Sequence, residues 1–230
     1  MSQKVYVVHG WSYNLDKWQN IVPLLKAQGV ELVLLRVPGL TEPSDKVWTI
    51  DEYVAWLQDK LKGETAPIVI GHSNGGRIAL ALLQTYPDRF KQLILIDSAG
   101  LPHDTSVGNA KLNTLKFVSK VGKPLAKIPI VNKAFYKLIG AQDYRQAPPN
   151  MRATMQNMLN ADPTIDLSKI TVPVTMIWGA DDTITPLKDG RSMHEQLEGS
   201  KLHVIDGARH APQDTHAQQV ANIIKSAVGA

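Results

Sequence analysis

The sequence predicts an α/β protein in which a doubly wound parallel β-sheet is covered by helices on both faces. Two observations support this fold class. Six short runs of apolar, largely β-branched residues are almost uninterrupted by polar residues, as expected of strands buried on both faces. Most of these runs are separated by segments in which apolar residues recur at the helical period. Such alternation is typical of sheets built from strand–helix–strand units.

The elements follow one another from close to the first residue. The predicted strands are residues 4–8, 31–35, 67–71, 92–97, 173–178 and 201–205. The predicted helices are residues 14–28, 49–62, 74–86, 186–197 and 211–228. Thr49 followed by Glu52 is the signature of a capping box at the start of the second helix. The last helix has an apolar face that contains Val220, Ile223 and Ile224.

One segment interrupts the alternation, because about 70 residues separate the fourth strand from the fifth, too many for a simple crossover. Apolar residues at helical spacing and several prolines predict short helices there. We therefore predict a helical cap, or lid, at residues 101–168, inserted into a core formed by residues 1–100 and 169–230. The apolar positions at helical spacing are Leu112, Leu115, Val118, Val121, Val131, Ala134, Phe135, Leu138, Ile139, Met151, Met155, Met158 and Leu159.

Composition excludes several classes of protein. The 230 residues include no cysteine, so disulfide frameworks, thiol nucleophiles and zinc–thiolate or iron–sulfur sites are absent. A net charge of +4 is too mild to indicate nucleic-acid binding. No apolar run approaches the roughly 18 residues that cross a membrane, and the first residues lack the pattern of a signal peptide. The default expectation is therefore a cytoplasmic protein.

The positive charge is concentrated in the predicted cap. Residues 101–150 contain eight lysines and arginines against two aspartates, a net charge of +6. A basic amphipathic cap could contact a membrane surface, collect anionic substrates, or simply expose a solvated lysine face. We favour the solvated face over membrane-surface contact. Composition leaves the oligomeric state open.

The pentapeptide Gly71-His72-Ser73-Asn74-Gly75 lies where the third strand ends and a helix begins. This strand–turn–helix context is the one in which Gly-x-Ser-x-Gly forms a nucleophile elbow. The tight turn strains the serine backbone, and side chains at the two glycine positions would collide with neighbouring backbone. Ser73 is therefore the predicted nucleophile, with helix N-terminal amides close to its hydroxyl.

A serine hydroxyl needs a base, and the base needs an orienting acid, because the free hydroxyl is a poor nucleophile near neutral pH. His210 follows the last strand and is the candidate base. Asp181 and Asp182 follow the fifth strand, and Asp97 ends the fourth, so three acids are candidates. Loops at the carboxyl ends of parallel strands converge, which brings these residues within reach of Ser73.

These motifs resemble those of the α/β-hydrolase superfamily, particularly its small bacterial esterase-like members. The resemblance covers about residues 4–100 and 168–228. Its motifs are His9-Gly10-Trp11, Pro38-Gly39, the Gly-His-Ser-Asn-Gly-Gly segment at 71–76, the Trp-Gly-Ala-Asp-Asp-Thr-Ile-Thr-Pro segment at 178–186 and Gly-Ala-Arg-His at 207–210. The resemblance selects Asp182 as the triad acid. It also implies that the backbone amides of Trp11 and Asn74 form the oxyanion hole.

Departures from the family pattern refine the expected fold. The His-Gly motif arrives at residue 9, which leaves no room for the two antiparallel strands that commonly precede it in the family. We therefore predict a six-stranded, all-parallel sheet, an α/β-hydrolase core without its first two strands, with the strand at 31–35 on an edge. The loop that follows this strand departs from the family pattern, so its shape could differ.

The sequence thus predicts a serine hydrolase of the carboxylesterase type, with a Ser73–His210–Asp182 triad and a small acyl ester of short to medium chain length as substrate. A thioesterase, an amidase or aminopeptidase, a lipase, a carbon–carbon bond hydrolase and a ligand-binding receptor on the same fold remain alternatives, since the triad defines mechanism rather than substrate. No motif indicates a metal or a cofactor. His9 and His72 are predicted to be structural.

Overall fold

The computed structural model describes residues 2–101 and 147–229. Six parallel strands form one sheet in these ranges, in the order β2-β1-β3-β4-β5-β6. The strands are β1 (Gln3–Val8), β2 (Val30–Leu34), β3 (Ile68–His72), β4 (Gln92–Ile96), β5 (Val174–Gly179) and β6 (Lys201–Ile205). The fold class, the parallel pairing and the edge position of β2 confirm the prediction.

Helices cover both faces of the sheet. They are α1 (Ile21–Ala27), α2 (Ile50–Lys60), α3 (Asn74–Thr85), α4 (Pro149–Ala161), α5 (Leu187–Gln196), α6 (Pro212–Thr215) and α7 (Ala217–Val228). The predicted capping box at the start of α2 is present, because the Thr49 side chain accepts from the Glu52 amide and the Glu52 carboxylate accepts from the Thr49 amide.

Two predicted helices are each divided in two. Residues 14–28 form a short 3-10 helix (Asp16–Trp18) and then α1, because a continuous helix would place Pro23 where its ring meets the carbonyl of the preceding turn. Residues 211–228 form α6 and α7, and His216 between them leaves helical backbone angles, with φ −126° and ψ 39°.

The sheet separates two hydrophobic layers, as expected of a doubly wound fold. Val5 and Val7 of β1 belong to the layer that contains α1 and α7, whereas the alternate residues Tyr6 and Val8 belong to the layer that contains α2, α3 and α5. Because successive side chains of a strand point to opposite faces, both faces of the central strands are buried. This burial makes the strands nearly continuous apolar runs.

Helix α4 comes from the segment that we predicted as cap, and it packs on the core. The Thr154 hydroxyl accepts a hydrogen bond from the Trp48 amide at 2.9 Å, and the Asn157 amide donates to the Trp48 carbonyl at 3.0 Å. Met151 and Met158 belong to the hydrophobic layer on that face. Residues 102–146 of the predicted cap, which include the helical positions from 112 to 139, lie outside the described residues, and the boundaries of the cap remain a prediction.

We find no helix within residues 2–101 and 147–229 that is both long enough and apolar enough to cross a membrane.

Candidate active site

Ser73 lies in the sharp turn between β3 and α3. Its backbone has φ 52° and ψ −119°. This left-handed conformation is unfavourable in free energy for any residue that carries a side chain. A Cβ at Gly71 would lie 2.5 Å from the Gly76 Cα, and one at Gly75 would collide with the Val8 carbonyl. The chain therefore turns tightly enough to raise the Ser73 hydroxyl beyond the end of β3, as the motif predicts.

Three residues that are far apart in sequence meet at this turn. Asp182 follows β5, and His210 follows β6. The His210 Nε2 lies 2.9 Å from the Ser73 Oγ, and the His210 Nδ1 lies 2.7 Å from the Asp182 Oδ2. With the Nδ1 proton donated to the carboxylate, Nε2 presents its lone pair to the serine hydroxyl. This arrangement allows the histidine to take the serine proton.

The carboxylate of Asp182 is held by more than the histidine. Its Oδ1 accepts from the backbone amides of Ile184 and Thr185, and its Oδ2 accepts from the Thr185 hydroxyl at 2.7 Å. Burial opposes ionisation, but the hydrogen bonds from His210 and Thr185 and the charge of His210 together lower the pKa of Asp182. The carboxylate is therefore ionised near neutral pH and oriented toward the imidazole.

The other two candidate acids occupy different environments. Asp181 is exposed. Asp97 is fully buried, and its Oδ1 accepts from the Gly179 amide at 2.8 Å. Burial, with the nearby charge of Asp182, raises the pKa of Asp97 to about 8. Of the three, Asp182 is the aspartate that hydrogen-bonds to His210.

Trp11 and Asn74, the residues expected to supply oxyanion-hole amides, line one pocket together with Ser73 and His210. Gly10 brings the Trp11 loop against the nucleophile, since a Cβ at Gly10 would lie 2.8 Å from the Ser73 Cβ. The structure thus brings together all five residues of the predicted site.

His9 and His72 support this arrangement through buried hydrogen bonds. The His9 Nδ1 donates to the Gly10 carbonyl, and its Nε2 accepts from the Thr41 hydroxyl, both at 2.7 Å. The His72 Nε2 donates to the His210 carbonyl at 2.8 Å. Burial lowers the pKa of His9, and burial with the neighbouring charge of His210 lowers the pKa of His72 to about 3. Both rings are therefore neutral.

The pocket has a volume of about 110 Å³. An apolar part of its lining comes from Met155, Leu159 and Ile184. The three methionines of α4 therefore differ in their surroundings. Met151 and Met158 lie in the core, whereas Met155 contributes to the pocket.

A buried ion pair next to the nucleophile was not predicted from the sequence. The Arg77 guanidinium donates to both carboxylate oxygens of Asp162, at 2.5 and 2.8 Å, and to the Asn74 Oδ1 at 2.5 Å. Arg77 is 5% exposed and Asp162 is 2% exposed. The available signal was an arginine one turn into an otherwise apolar helix, which must find a partner when it is buried.

One group of residues within the described ranges has a geometry that could hold a metal ion. Ligand atoms of His72, Asp97 and His210 lie within 4.8 Å of one another. The His210 ring nitrogens already bond to Ser73 and Asp182, and the His72 Nε2 bonds to the His210 carbonyl. A metal would have to displace these hydrogen bonds, so the cluster fits a hydrogen-bonded site better.

A serine, a histidine and an aspartate joined in this order, on loops beyond the carboxyl ends of parallel strands, are typical of hydrolases that use a nucleophilic serine. A family model described as alpha/beta hydrolase fold matches residues 4–217. The chain therefore belongs to the alpha/beta hydrolase fold family.

Among curated proteins, the chain is similar to pimeloyl-[acyl-carrier protein] methyl ester esterases. The esterase of Neisseria meningitidis serogroup A / serotype 4A is 27% identical over 246 residues, which cover 98% of this chain and 77% of the relative. The esterase of Legionella pneumophila (strain Paris) is 26% identical over 218 residues, covering 90% of this chain and 87% of the relative.

Solved structures show the same fold at lower sequence identity. An alpha/beta hydrolase from the metagenome of Mar Chica lagoon sediments, Morocco, superimposes with a TM-score of 0.72 at 18% identity, covering 98% of this chain and 90% of that chain. A thermophilic esterase from Thermogutta terrifontis superimposes with a TM-score of 0.68 at 22% identity, covering 99% of this chain and 89% of that chain.

Proposed function

We propose that this protein is a serine hydrolase that cleaves carboxylic esters through an acyl-enzyme intermediate. The observation that carries the proposal is the pair of hydrogen bonds that joins Ser73 to His210 and His210 to Asp182 at the edge of a pocket. Membership of the alpha/beta hydrolase fold family supports it.

In the first half of the reaction, His210 takes the proton of the Ser73 hydroxyl while the serine oxygen attacks the ester carbonyl. Asp182 holds the imidazole in the required tautomer and stabilises its positive charge. His210 then gives the proton to the departing alcohol, so that the carbon–oxygen bond breaks and an acyl group remains on Ser73.

The negative oxygen of the tetrahedral intermediate needs hydrogen-bond donors. The backbone amides of Trp11 and Asn74 supply them in this proposal, since both residues line the pocket at the nucleophile. Asn74 is also the first residue of α3, where helix N-terminal amides favour negative charge.

The second half of the reaction releases the acid. Water gives a proton to His210 and attacks the acyl carbon, and the returning proton restores the Ser73 hydroxyl. The enzyme is then unchanged, and the net reaction is an ester and water giving an acid and an alcohol.

The relatives bear on the bond that is cleaved, and the pocket bears on the acyl group. The relatives from Neisseria and Legionella are named as methyl ester esterases, which supports an ester bond as the bond cleaved. A pocket of about 110 Å³ that is lined in part by Met155, Leu159 and Ile184 suits an apolar acyl chain of short to medium length.

The test is hydrolysis of p-nitrophenyl acetate, butyrate, octanoate and laurate by the wild-type protein and by Ser73→Ala. We expect turnover that is greatest for the shorter chains and is lost in Ser73→Ala. Ser192→Ala is the matched control, because Ser192 is exposed on α5 and does not line the pocket. Full activity of Ser73→Ala would refute the proposal.

Labelling with a fluorophosphonate separates the proposal from its alternatives. We expect modification of Ser73 and rapid turnover of oxygen esters relative to matched thioesters and amides. Tight binding of an ester with a single, persistent acylation would instead identify a ligand-binding receptor. Labelling of another serine would overturn the assignment of the nucleophile.

A further inference from the structure

Three side chains that line the pocket beside Ser73 have buried N–H groups without a hydrogen-bond partner among the described residues. These groups are the Asn74 Nδ2, the Trp11 Nε1 and the Gln213 Nε2, and the Gln213 Oε1 also lacks a partner. Asn74 is 4% exposed and Gln213 is fully buried. A buried donor without a partner costs free energy, so a ligand that supplies acceptors to these groups gains affinity.

The orientation of the Asn74 amide is settled by its neighbour. The Arg77 Nη1 donates to the Asn74 Oδ1 at 2.5 Å, so the oxygen must face the guanidinium and the amide nitrogen must face away from it. Arg77 is itself held by two hydrogen bonds to Asp162. The Nδ2 group is therefore a preorganised donor on the residue that follows the nucleophile.

The charge around this donor is balanced. The positive charge of Arg77 is paired with the carboxylate of Asp162, and the amides of Asn74 and Gln213 are neutral. These neutral amide and indole N–H groups can donate to uncharged acceptors such as a carbonyl or hydroxyl oxygen.

We propose that the side chain of Asn74, with Trp11 and Gln213, forms a polar subsite for an uncharged oxygen of the substrate that lies outside the ester group. The preferred substrate is then an ester that carries an oxo or hydroxyl group close to the scissile bond. This proposal rests on the ester hydrolase function, and it adds to the backbone role of Asn74 a side-chain role in specificity.

The test compares esters of the same carbon skeleton with and without an additional oxygen outside the ester group. Ethyl butanoate is the reference, ethyl 3-oxobutanoate carries the oxygen on the acyl side, and 2-hydroxyethyl butanoate carries it on the alcohol side. The readout is the ratio of kcat/KM for an oxygenated ester to kcat/KM for ethyl butanoate. The intrinsic reactivity of each ester cancels when this ratio is compared between variants.

We expect Asn74→Ala to lower the ratio about tenfold for one of the two oxygenated esters, and the ester affected shows on which side the subsite lies. Asn157→Ala is the matched control, because Asn157 lies on α4, bonds to the Trp48 carbonyl and does not line the pocket. The ratio of this control should equal that of the wild-type protein.

A second variant removes the donor but keeps the bond to Arg77. Asn74→Asp retains an acceptor for the guanidinium and replaces the N–H donor with an oxygen, so the ratio should again fall. Titration of Ser73 with a fluorophosphonate restricts each comparison to folded protein with a reactive nucleophile.

The outcomes separate the subsite proposal from the hydrolase function on which it rests. If the wild-type protein hydrolyses the esters and the ratios are the same in Asn74→Ala and Asn74→Asp, the subsite is refuted while the hydrolase function stands. If Ser73 is not labelled and no ester is hydrolysed, the hydrolase function itself is refuted.

Discussion

Ser73 combines a functional hydroxyl with a backbone conformation that favours glycine. Its φ of 52° and ψ of −119° are imposed by the turn between β3 and α3, not by the side chain. Strain of this kind costs about 1–3 kcal/mol, and it persists where the surrounding structure determines the backbone.

Replacement of Ser73 by two different small residues should reveal this strain. We expect Ser73→Gly to be more stable to unfolding than Ser73→Ala by about 1 kcal/mol, after the larger unfolded-state entropy of glycine is taken into account. Urea unfolding measures the difference, and neither variant should hydrolyse esters. Equal stability of the two variants would argue against a strained nucleophile.

The two adjacent aspartates after β5 should differ sharply in their effect on catalysis. Asp182→Asn removes the acceptor that holds the His210 Nδ1 proton, so kcat should fall by about three to four orders of magnitude. Asp181→Asn should leave kcat near that of the wild-type protein, because Asp181 is exposed. The reverse order of effects would transfer the role of triad acid to Asp181.

Residue patterns predicted the triad but not its surroundings. The Gly-x-Ser-x-Gly motif requires its glycines sterically, so Ser73 is recognisable from local sequence. Asp182 could be chosen over Asp181 and Asp97 only through the family motif, because local sequence does not show which carboxylate reaches an imidazole. The Arg77 partner, Asp162, lies 85 residues away, and no local pattern marks such a pair.

At the scale of elements, α4 is joined to α3 through the ion pair of Arg77 and Asp162. Asp162 follows directly after α4, in a short 3-10 helix (Asp162–Thr164), and Arg77 lies in the first turn of α3. The pair therefore holds the end of the predicted cap segment against the helix that carries the nucleophile turn.

Loss of one partner of this pair should be strongly destabilising. Asp162→Asn leaves the Arg77 charge buried without a counter-ion, and we expect the free energy of unfolding to fall by about 3–5 kcal/mol. Asp166→Asn is the matched control, because Asp166 pairs with Lys169 on the surface and its loss should cost far less stability. Equal effects in urea unfolding would show that burial adds nothing to the Arg77 pair.

Strands were easier to predict than helix boundaries. Each predicted strand lies within two residues of the observed one at both ends, because burial on both faces leaves an unmistakable apolar run. The breaks before α1 and before α7 were missed. Apolar periodicity continues across both breaks, and the backbone geometry at Pro23 and His216 interrupts the helices instead.

At the scale of the whole molecule, buried neutral histidines link stability to pH. Burial lowers the pKa of His72 to about 3 from an ordinary value of 6.5. Below pH 6.5 the His72 ring is protonated in the unfolded chain but stays neutral in the folded protein. The contribution of His72 is therefore complete above pH 6.5 and is lost progressively as the pH falls toward 3.

Replacement of His72 by glutamine should reduce this dependence on pH. The glutamine amide can donate to the His210 carbonyl as the ring does, but it does not titrate. We expect the free energy of unfolding of His72→Gln to fall less steeply between pH 6.5 and pH 4 than that of the wild-type protein. Parallel curves from urea unfolding would show that His72 does not cause the acid sensitivity.

The arrangement of the whole sheet was predicted from the position of one motif. The His-Gly motif at residue 9 led us to predict six parallel strands, and the described residues form six in the order β2-β1-β3-β4-β5-β6. The role of the basic 101–150 segment and the boundaries of the cap stay predictions, since most of that segment lies outside the described residues.

The order of the site residues along the chain has a consequence for biosynthesis. The nucleophile turn is translated more than 100 residues before the acid and the base, which follow β5 and β6 near the other end. A ribosome-bound chain that has already formed β1 to β4 presents a serine without a proton acceptor. Under the proposed mechanism, the protein therefore becomes active only after the last strands have formed, and an interrupted translation product would be inactive.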